Sequence, residues 1–431
     1  MSKLSLAISA PVDTYSGYGA RSRDIVKALI KSGKYNISIL SQRWGNTRFG
    51  YLEEHNEDEI SSLIIPGLSA KPDVWIQITV PNEFQPVGKY NIGITAGMET
   101  TLVHHNWLDG CNRMDLILTS SNHSKKVFET STVDLKDKNT GQLARKVKLE
   151  KPVEVLFEGL DVEKYFQTKS DPNSEIKQQL DGIKESFCYL LVGHWMQGDF
   201  GHDRKNVGYT IKSFLESFKT KQNPPALILK THTATTSILD RERILDKIDS
   251  IKKTVKGGRL PNIYLIHGEV SDSEINQLYN HPKVKVMVSH TKGEGFGRPL
   301  LEFSSVGKPI IASGWSGQVD FLSPDDNIII GGKLEKVHPS AAVKDMILRE
   351  ADWFTPNDSD VSRAYKLTFK HYKECIKKAR KQRRRTLDNF TFDKMVDKLN
   401  EILDNNIPEF PKQIELTLPK LNLPKLEKVE S

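Results

Sequence analysis

Glu294 and Glu302 stand with seven residues between them in the stretch Val284 to Phe321, VKVMVSHTKGEGFGRPLLEFSSVGKPIIASGWSGQVDF. Val284 to Val288 is an apolar run suited to a buried parallel strand. Gly293, Gly295 and Gly297 follow, and glycine lets backbone come close to a ligand or turn with φ > 0. Pro299 suits a first helical position, and Gly307 and Pro309 stop that helix. Amides at a helix N-terminus can hold anionic phosphate oxygens. Glu302, one turn into the helix, can accept both hydroxyls of a ribose. Glu294, on the loop, can accept hydroxyls of a sugar beyond a diphosphate. A lone pair of glutamates would read as solvated. The glycines, the proline and a second loop at Gly314 and Gly317 point instead to a ligand site.

Other residues bear on the same chemistry. The loop PVDTYSGYG after Leu4 to Ala10 holds Gly17 and Gly19, only part of a dinucleotide fingerprint. Glu99 and Thr100 follow the apolar run Asn91 to Ala96. Ligands of open α/β sheets bind beyond the carboxyl ends of strands, which puts this pair in a cleft. His104 and His105 can move protons, bind acceptor hydroxyls or simply pack. They have no third partner at metal-ligand spacing, so no metal site is expected.

The run EGFGRPLLEFSSVGKPIIAS resembles the donor segment of retaining glycosyltransferases of family 4: E-G-F-G, a few residues, E, then small-x-G-x-P and an apolar strand. That resemblance implies the GT-B fold, with two Rossmann-like α/β domains whose parallel sheets face a cleft and a C-terminal helix crossing back to the first domain. It implies contact of Glu294 with the transferred sugar and of Glu302 with the nucleotide ribose. Gly295, Phe296, Gly297 and Arg298 of the same run are assigned to the donor. Arg204-Lys205-Asn206 resembles the family's helix start, where a lysine and an earlier arginine grip the diphosphate. Lys205 carries over. The earlier arginine does not, because Gly193 is followed by His194 and Trp195, and Arg204 is taken as the substitute. The loop after the first strand implies donor contacts at Gly17 and Gly19, with Tyr18 on the acceptor side and Arg21 nearby. Some members share a stretch like GITAGMETTLVHHNW, which implies that Glu99 and Thr100 lie near the acceptor, and His104, able to bind acceptor hydroxyls, is placed on the same side. We group Glu99 with the catalytic residues. The nucleotide base is expected against the loop His267, Gly268 and Val270.

The elements that must position these residues are strands alternating with helices, which imply parallel sheets covered on both faces. In the first half, strands are expected at Leu4 to Ala10, Tyr35 to Ser41, Asp73 to Val80, Asn91 to Ala96, Asp115 to Ser120 and Lys151 to Gly159. A helix is expected from about Ala20 to Ser32, and Asn122 is expected to cap another. In the second half, strands are expected at Phe187 to Val192, Ala226 to Lys230, Asn262 to Gly268, Val284 to Val288 and Ile328 to Gly331. Ala341 to Leu348 and Asp360 to Leu403 read as helices. The expected domains are 1–166 on the acceptor side, 167–385 on the donor side, a crossover helix at 386–405 and an extended tail at 406–431.

The 431 residues carry a net charge of +7, mildly basic and suited to an anionic co-substrate. Three widely spaced cysteines suggest buried thiols in a reducing compartment, hence a cytoplasmic protein. No apolar run is long enough to cross a membrane. The basic run Lys377 to Arg385 lacks interleaved aromatics and reads as a solvated helix face, with a phosphate-backbone patch as the alternative. The expected activity is sugar transfer from a nucleotide diphosphate donor to a hydroxyl of a glycan, lipid or small molecule, with no metal or cofactor. The alternatives are transfer to hydroxylated bases in DNA, or a nucleotide-sugar-binding protein without turnover.

Overall fold

The computed structural model describes residues 3–137, 139–233 and 236–411. The first half is built on β1 (Leu4–Ala10), β2 (Tyr35–Ser41), β3 (Val74–Ile78), β4 (Tyr90–Ile94) and β5 (Leu116–Thr119). An antiparallel pair follows, β6 (Thr132–Lys136) with β7 (Leu143–Lys148), and then β8 (Val153–Val155). The sheet runs β2-β1-β3-β4-β5-β8 and is parallel throughout. Helix α1 (Gly17–Ser32) covers one face, with α2 (Tyr51–Glu54) and α3 (Asp58–Ser61) beside it. Helices α4 (His105–Asn112) and α5 (Asn122–Thr130) cover the other face through Trp107, Leu108, Val127 and Phe128.

The second half repeats the plan. Its strands are β9 (Cys188–Val192), β10 (Ala226–Lys230), β11 (Ile263–Ile266), β12 (Val284–Ser289), β13 (Ile310–Ser313) and β14 (Ile328–Ile330), in the order β11-β10-β9-β12-β13-β14. One face packs on α6 (Glu175–Asp181), α9 (Asp272–Asn280) and α10 (Arg298–Ser304). The opposite face packs on α7 (Val207–Phe218), α8 (Ile238–Thr254) and α11 (Asp358–Lys370). A short antiparallel pair, β15 (Gly332–Lys336) with β16 (Asp352–Pro356), extends from the sheet's end. Then come α12 (Tyr372–Asn389) and α13 (Phe392–Asn406).

Helix α13 leaves the second half. Its Met395, Val396, Leu399, Ile402 and Leu403 join Ile25, Val26 and Leu29 of α1 in the core of the first sheet. The chain thus passes between the halves twice, side by side. Leu160 N–H donates to Phe390 O at 2.8 Å, and Phe392 N–H donates to Leu160 O at 2.8 Å.

Several expectations need correction. Ala341 to Leu348 is not a helix: Pro339–Ala341 is a single 3-10 turn, and Val343 then bridges Ile347 around Asp345, whose φ is 62°. The apolar residues of that segment pack on Trp353 of β16 instead of making a helical stripe. The strand expected over Lys151 to Gly159 is only Val153–Val155. Beyond it, the carbonyls of Leu156 and Phe157 are taken by the Arg21 guanidinium, so they cannot continue a ladder. Helix α1 begins at Gly17, not Ala20, because Ser16 caps it by accepting from Gly19 N–H. Ser121, not Asn122, caps α5. The β6–β7 pair and the long helix α8 had no counterpart among the expected elements. The expected tail from 406 lies, from 412 onward, outside the described residues.

Candidate active site

The carboxyl ends of the two sheets meet. The loop after β12 presses on the segment after β4 so closely that a Cβ on Gly293 would stand 1.9 Å from Glu99 O, and one on Gly295 would stand 2.3 Å from Ala96 O. Only glycine fits there. Ser120 Oγ donates to both Ala96 O at 2.6 Å and Gly295 O at 3.0 Å, joining the halves. These two glycines therefore accommodate backbone of the facing half, where a ligand had been expected.

Glu294 is held from both sides. Its N–H donates to Ser316 Oγ at 2.9 Å, and its carbonyl accepts from Gly317 N–H at 2.9 Å. Its carboxylate is 8% exposed and accepts from Lys205 Nζ at 2.7 and 2.8 Å and from Arg204 Nη1 at 3.3 Å. Arg204 also stands 3.5 Å from Glu99 Oε1 and donates to Gly293 O at 2.9 Å. The cluster thus takes Glu294 from the loop after β12, Lys205 and Arg204 from the turn before α7, and Glu99 from the other half. Asn206, with φ 56°, makes that turn, and its side chain donates to His290 O at 3.1 Å. Lys292 N–H donates to Arg204 O at 2.8 Å. Burial pushes the Glu294 carboxyl up, but Lys205 and Arg204 outweigh it and hold the group below the usual range. Burial also depresses the Lys205 ammonium, which Glu294 offsets only in part.

Beyond Lys205 the floor carries two histidines and one lysine. The side chain of Lys205 lies along Gly193, 3.6 Å from where a Cβ would sit. His194 and His232, on the loops after β9 and β10, approach ring to ring at 4.1 Å. Lys230, at the end of β10, donates to Gly268 O at 2.7 Å. Burial, then His232 and the cations Lys205, Arg204 and Lys230, hold His194 well below the usual histidine range. Lys230, His194 and His232 were missing from the sequence-derived site. The signal was available in part, since Lys230 ends a strand whose carboxyl end faces the cleft.

Glu302 lies in the first turns of α10, which opens with Gly297 at φ 104° and Pro299. It is buried, with Tyr279 OH 3.3 Å away. Burial pushes its carboxyl up to about 8 despite the nearby Arg298 guanidinium. Arg298 itself reaches out of the site. Its Nε is 2.8 Å from Glu158 Oε2, and its Nη2 pairs with Asp24 of α1. Phe296 is buried in the second core, packed on Phe321.

The remaining assigned residues divide. Tyr18 OH bonds Thr95 Oγ1 at 3.0 Å and accepts from Ala96 N–H at 3.2 Å, and its ring stacks on Trp44 at 4.0 Å. Burial first, then the Glu99 charge among others, raises its phenol to about 12. Gly17 is exposed with open space around it, whereas a Cβ on Gly19 would meet Thr14 O at 2.3 Å. Thr100 is buried and donates to Leu102 O at 3.3 Å. His104 caps α4 and stands 3.3 Å from Asp345 of the other half. His267 Nε2 is 2.9 Å from Asp240 of α8, and Val270 is half-buried on the second core. The structure therefore gathers Glu294, Lys205, Arg204 and Glu99 into one cluster, and ties His104, His267 and Arg298 to other partners.

The cations of the 377–385 run are mostly exposed on α12. Arg383 donates to Ser305 O at 2.8 Å, so the run lies beside the carboxyl end of α10, whose amino end carries the site. The three cysteines are buried and unpaired. Among the described residues no group of His, Cys, Asp and Glu is placed to hold a metal, and no helix is long and apolar enough to cross a membrane.

Residues 247–351, which include both Glu294 and Glu302, match the family described as "Glycosyl transferases group 1". The chain carries a glycosyl transferases group 1 domain. No curated protein matches the chain in sequence. Its fold is that of solved relatives. Alr3699/HepE of Anabaena in complex with UDP-glucose aligns with TM-score 0.62 and 12% identity over 93% of this chain and 100% of that one. A glycosyltransferase from Rickettsia africae gives 0.62 and 14% over 94% and 99%. Sucrose-phosphate synthase of Thermosynechococcus elongatus gives 0.60 and 10% over 94% and 99%. At these identities the likeness is one of fold, the GT-B arrangement of two Rossmann-like halves.

Proposed function

We propose that this glycosyltransferase moves a sugar from a nucleotide diphosphate donor to a hydroxyl acceptor with retention of configuration, as a family 4 enzyme. The supporting observation is the cluster of Lys205, Arg204 and Glu99 around the buried Glu294, where the carboxyl ends of both sheets converge. HepE, which shares the fold, binds UDP-glucose, so uridine diphosphate sugars are the first donors to try.

In this reading Glu302 accepts the ribose hydroxyls, and Glu294 accepts hydroxyls of the transferred sugar. Lys205 and Arg204 turn from Glu294 toward the diphosphate, with Lys230 behind them. Fixed cations stabilise charge that develops on a leaving diphosphate, and they do so most strongly where water is excluded. The acceptor hydroxyl attacks from the face the diphosphate leaves, and the departing phosphate oxygen takes its proton. Neither a resident metal nor a cofactor is needed for this sequence of events.

A thermal-shift screen of uridine, guanosine and adenosine diphosphate sugars tests the reading. A donor at about 100 times its dissociation constant adds about 2.7 kcal/mol of stability. The same donor should show slow hydrolysis, and product NMR should show the donor's anomeric configuration. Failure of every nucleotide sugar to shift the transition, or indifference of the shift to Lys205→Ala and Glu302→Gln, would overturn it.

A further inference from the structure

Helix α12 concentrates the charge of the chain. Its 18 residues hold eight cations and two carboxylates, Glu374 and Asp388. That surplus of six nearly equals the +7 of the whole chain. Other long helices mix the signs: α8 has five cations and four carboxylates, and α13 has two and four. Cys375, Ala379, Gln382 and Thr386 form the buried side of α12. Lys373, Lys377, Arg380, Lys381 and Arg384 are exposed on the opposite side, at the steps of three and four residues that one helical face requires.

Among the described residues no ion pair falls on that face. The pairs nearest in sequence, Arg363 with Asp360 and Asp393 with Lys31, lie before and after the helix. The residues from 412 onward hold four lysines and three glutamates, so they bring no acidic surplus to cover it. Like charges at i and i+4, as in Lys377 with Lys381 and Arg380 with Arg384, repel and weaken a helix. A surface that serves solubility alone interleaves both signs. The stripe is therefore a cost to the folded chain by itself, and an anion laid along it removes that cost.

We infer that α12 docks nucleic acid, gripping the phosphate backbone of a duplex. The shape of the stripe suits a linear polyanion. From Lys373 to Arg384 it runs roughly 17 Å at the helical rise of about 1.5 Å per residue. A duplex presents about one negative charge per 1.7 Å of its axis. The stripe is one helix wide and has carboxylates around it. The loop that Gln382 holds through Ser323 N–H, at 3.0 Å, carries the exposed Asp325, and Asp388, Asp397 and Glu401 line a hollow at the end of the helix. A flat anionic membrane would have to cover those carboxylates too, whereas a duplex need not. Nor does α12 expose a large apolar side chain of the kind that an interfacial helix inserts into a bilayer. Arg383 ties the stripe to the carboxyl end of α10 by donating to Ser305 O at 2.8 Å, while the reacting cluster is at the amino end. The docking surface is thus separate from the transfer site and does not depend on the proposed reaction.

The test is fluorescence anisotropy of the full chain with a labelled mixed-sequence DNA duplex over a range of salt. Log affinity should fall against log salt with a slope of about −4 to −5, the value for five phosphate contacts. Lys377→Gln, Lys381→Gln and Arg384→Gln should each reduce the steepness of that slope by about 1. Lys71→Gln, at an exposed lysine of the first half, should leave it unchanged. Relief of like-charge repulsion should let Lys381→Gln melt at or above the parent in low salt. All three α12 variants should keep any thermal shift given by UDP-glucose, so failure of this surface is told apart from failure of the donor site. The inference is overturned if no duplex binds at about 50 mM salt, or if the α12 variants bind as the parent does. It is also overturned if polyglutamate displaces the labelled duplex as well as unlabelled duplex does, or if phosphatidylserine vesicles bind and the duplex does not.

Discussion

Gly295 of the donor half and Ala96 of the facing half touch so closely that a single added carbon on Gly295 would lie 2.3 Å from the Ala96 carbonyl oxygen. The two halves are registered by backbone at the point where Glu294 emerges. Gly295→Ala should push them apart, at a cost of about 1–3 kcal/mol for an overpacked contact. Turnover should fall about a hundredfold, since misplacement by about 1 Å costs that much. The control is Gly67→Ala, where nothing lies within 4 Å of the added carbon. Equal melting curves and turnover for the two variants would refute the registration.

Lys205→Met removes the main partner of a buried carboxylate. Glu294 then keeps Arg204 at 3.3 Å as its remaining ion-pair partner among the described residues, and stability should drop by up to about 3–5 kcal/mol. Adding Glu294→Gln should recover much of that loss, because the uncompensated charge is gone. Denaturant melts of the two single variants and the double variant form the required cycle. Strict additivity would show that the pair is not coupled. Donor turnover should fall by at least about a hundredfold in Lys205→Met, the usual effect of losing one charge-stabilising group.

Glu302 gives a pH signature. Its carboxyl is raised to about 8, so between its unfolded value and 8 the folded state holds a proton that the unfolded state has released. Stability from this group is full below the unfolded value and is lost as pH rises through 8. Glu302→Gln should therefore melt above the parent at pH 9, and the gap should close toward pH 5. Donor affinity should move the opposite way. The ionised carboxylate is the better acceptor for ribose hydroxyls, so binding should tighten as pH approaches 8 and level off above it. Titration calorimetry in two buffers of different ionisation heat would reveal the proton released on binding. A pH-independent affinity that Glu302→Gln does not change would remove Glu302 from the donor site.

Arg298 links the amino end of α10 to Asp24 and Glu158 across the cleft. Arg298→Met should leave both carboxylates unpaired and let the halves part. A larger radius of gyration by small-angle scattering is expected, together with weaker donor binding. It should also raise the Glu302 carboxyl further, since Arg298 is the cation that lowers it. Unchanged scattering would mean that the backbone contacts alone hold the cleft.

The alternation of apolar runs with glycine-punctuated loops made both sheets readable from sequence, because buried parallel strands carry continuous apolar stretches. The cluster was readable in part for the same reason: Glu294 and Lys205 each follow a strand or open a helix. What escaped was long-range. Whether Arg298 faces a ligand or Asp24 depends on how two halves dock. Whether His267 is free depends on α8, an amphipathic segment with heavy charge that hid its own helix. The segment Ala341 to Leu348 misled because its apolar residues pack on Trp353 without helical order.

Helix α13 completes the core of the first sheet although it is the last helix among the described residues. During synthesis that face of the sheet therefore emerges covered only in part, by α1, α2 and α3, and waits for the second half to be made before α13 can join them. Met395, which lies against the Arg21 guanidinium, is among the last side chains to arrive. A chaperone that shields apolar surface should bind nascent chains ending before residue 392 and release those that reach 406. The protein is bounded in space by two halves, but in time it is a single unit that can close only when α13 leaves the ribosome.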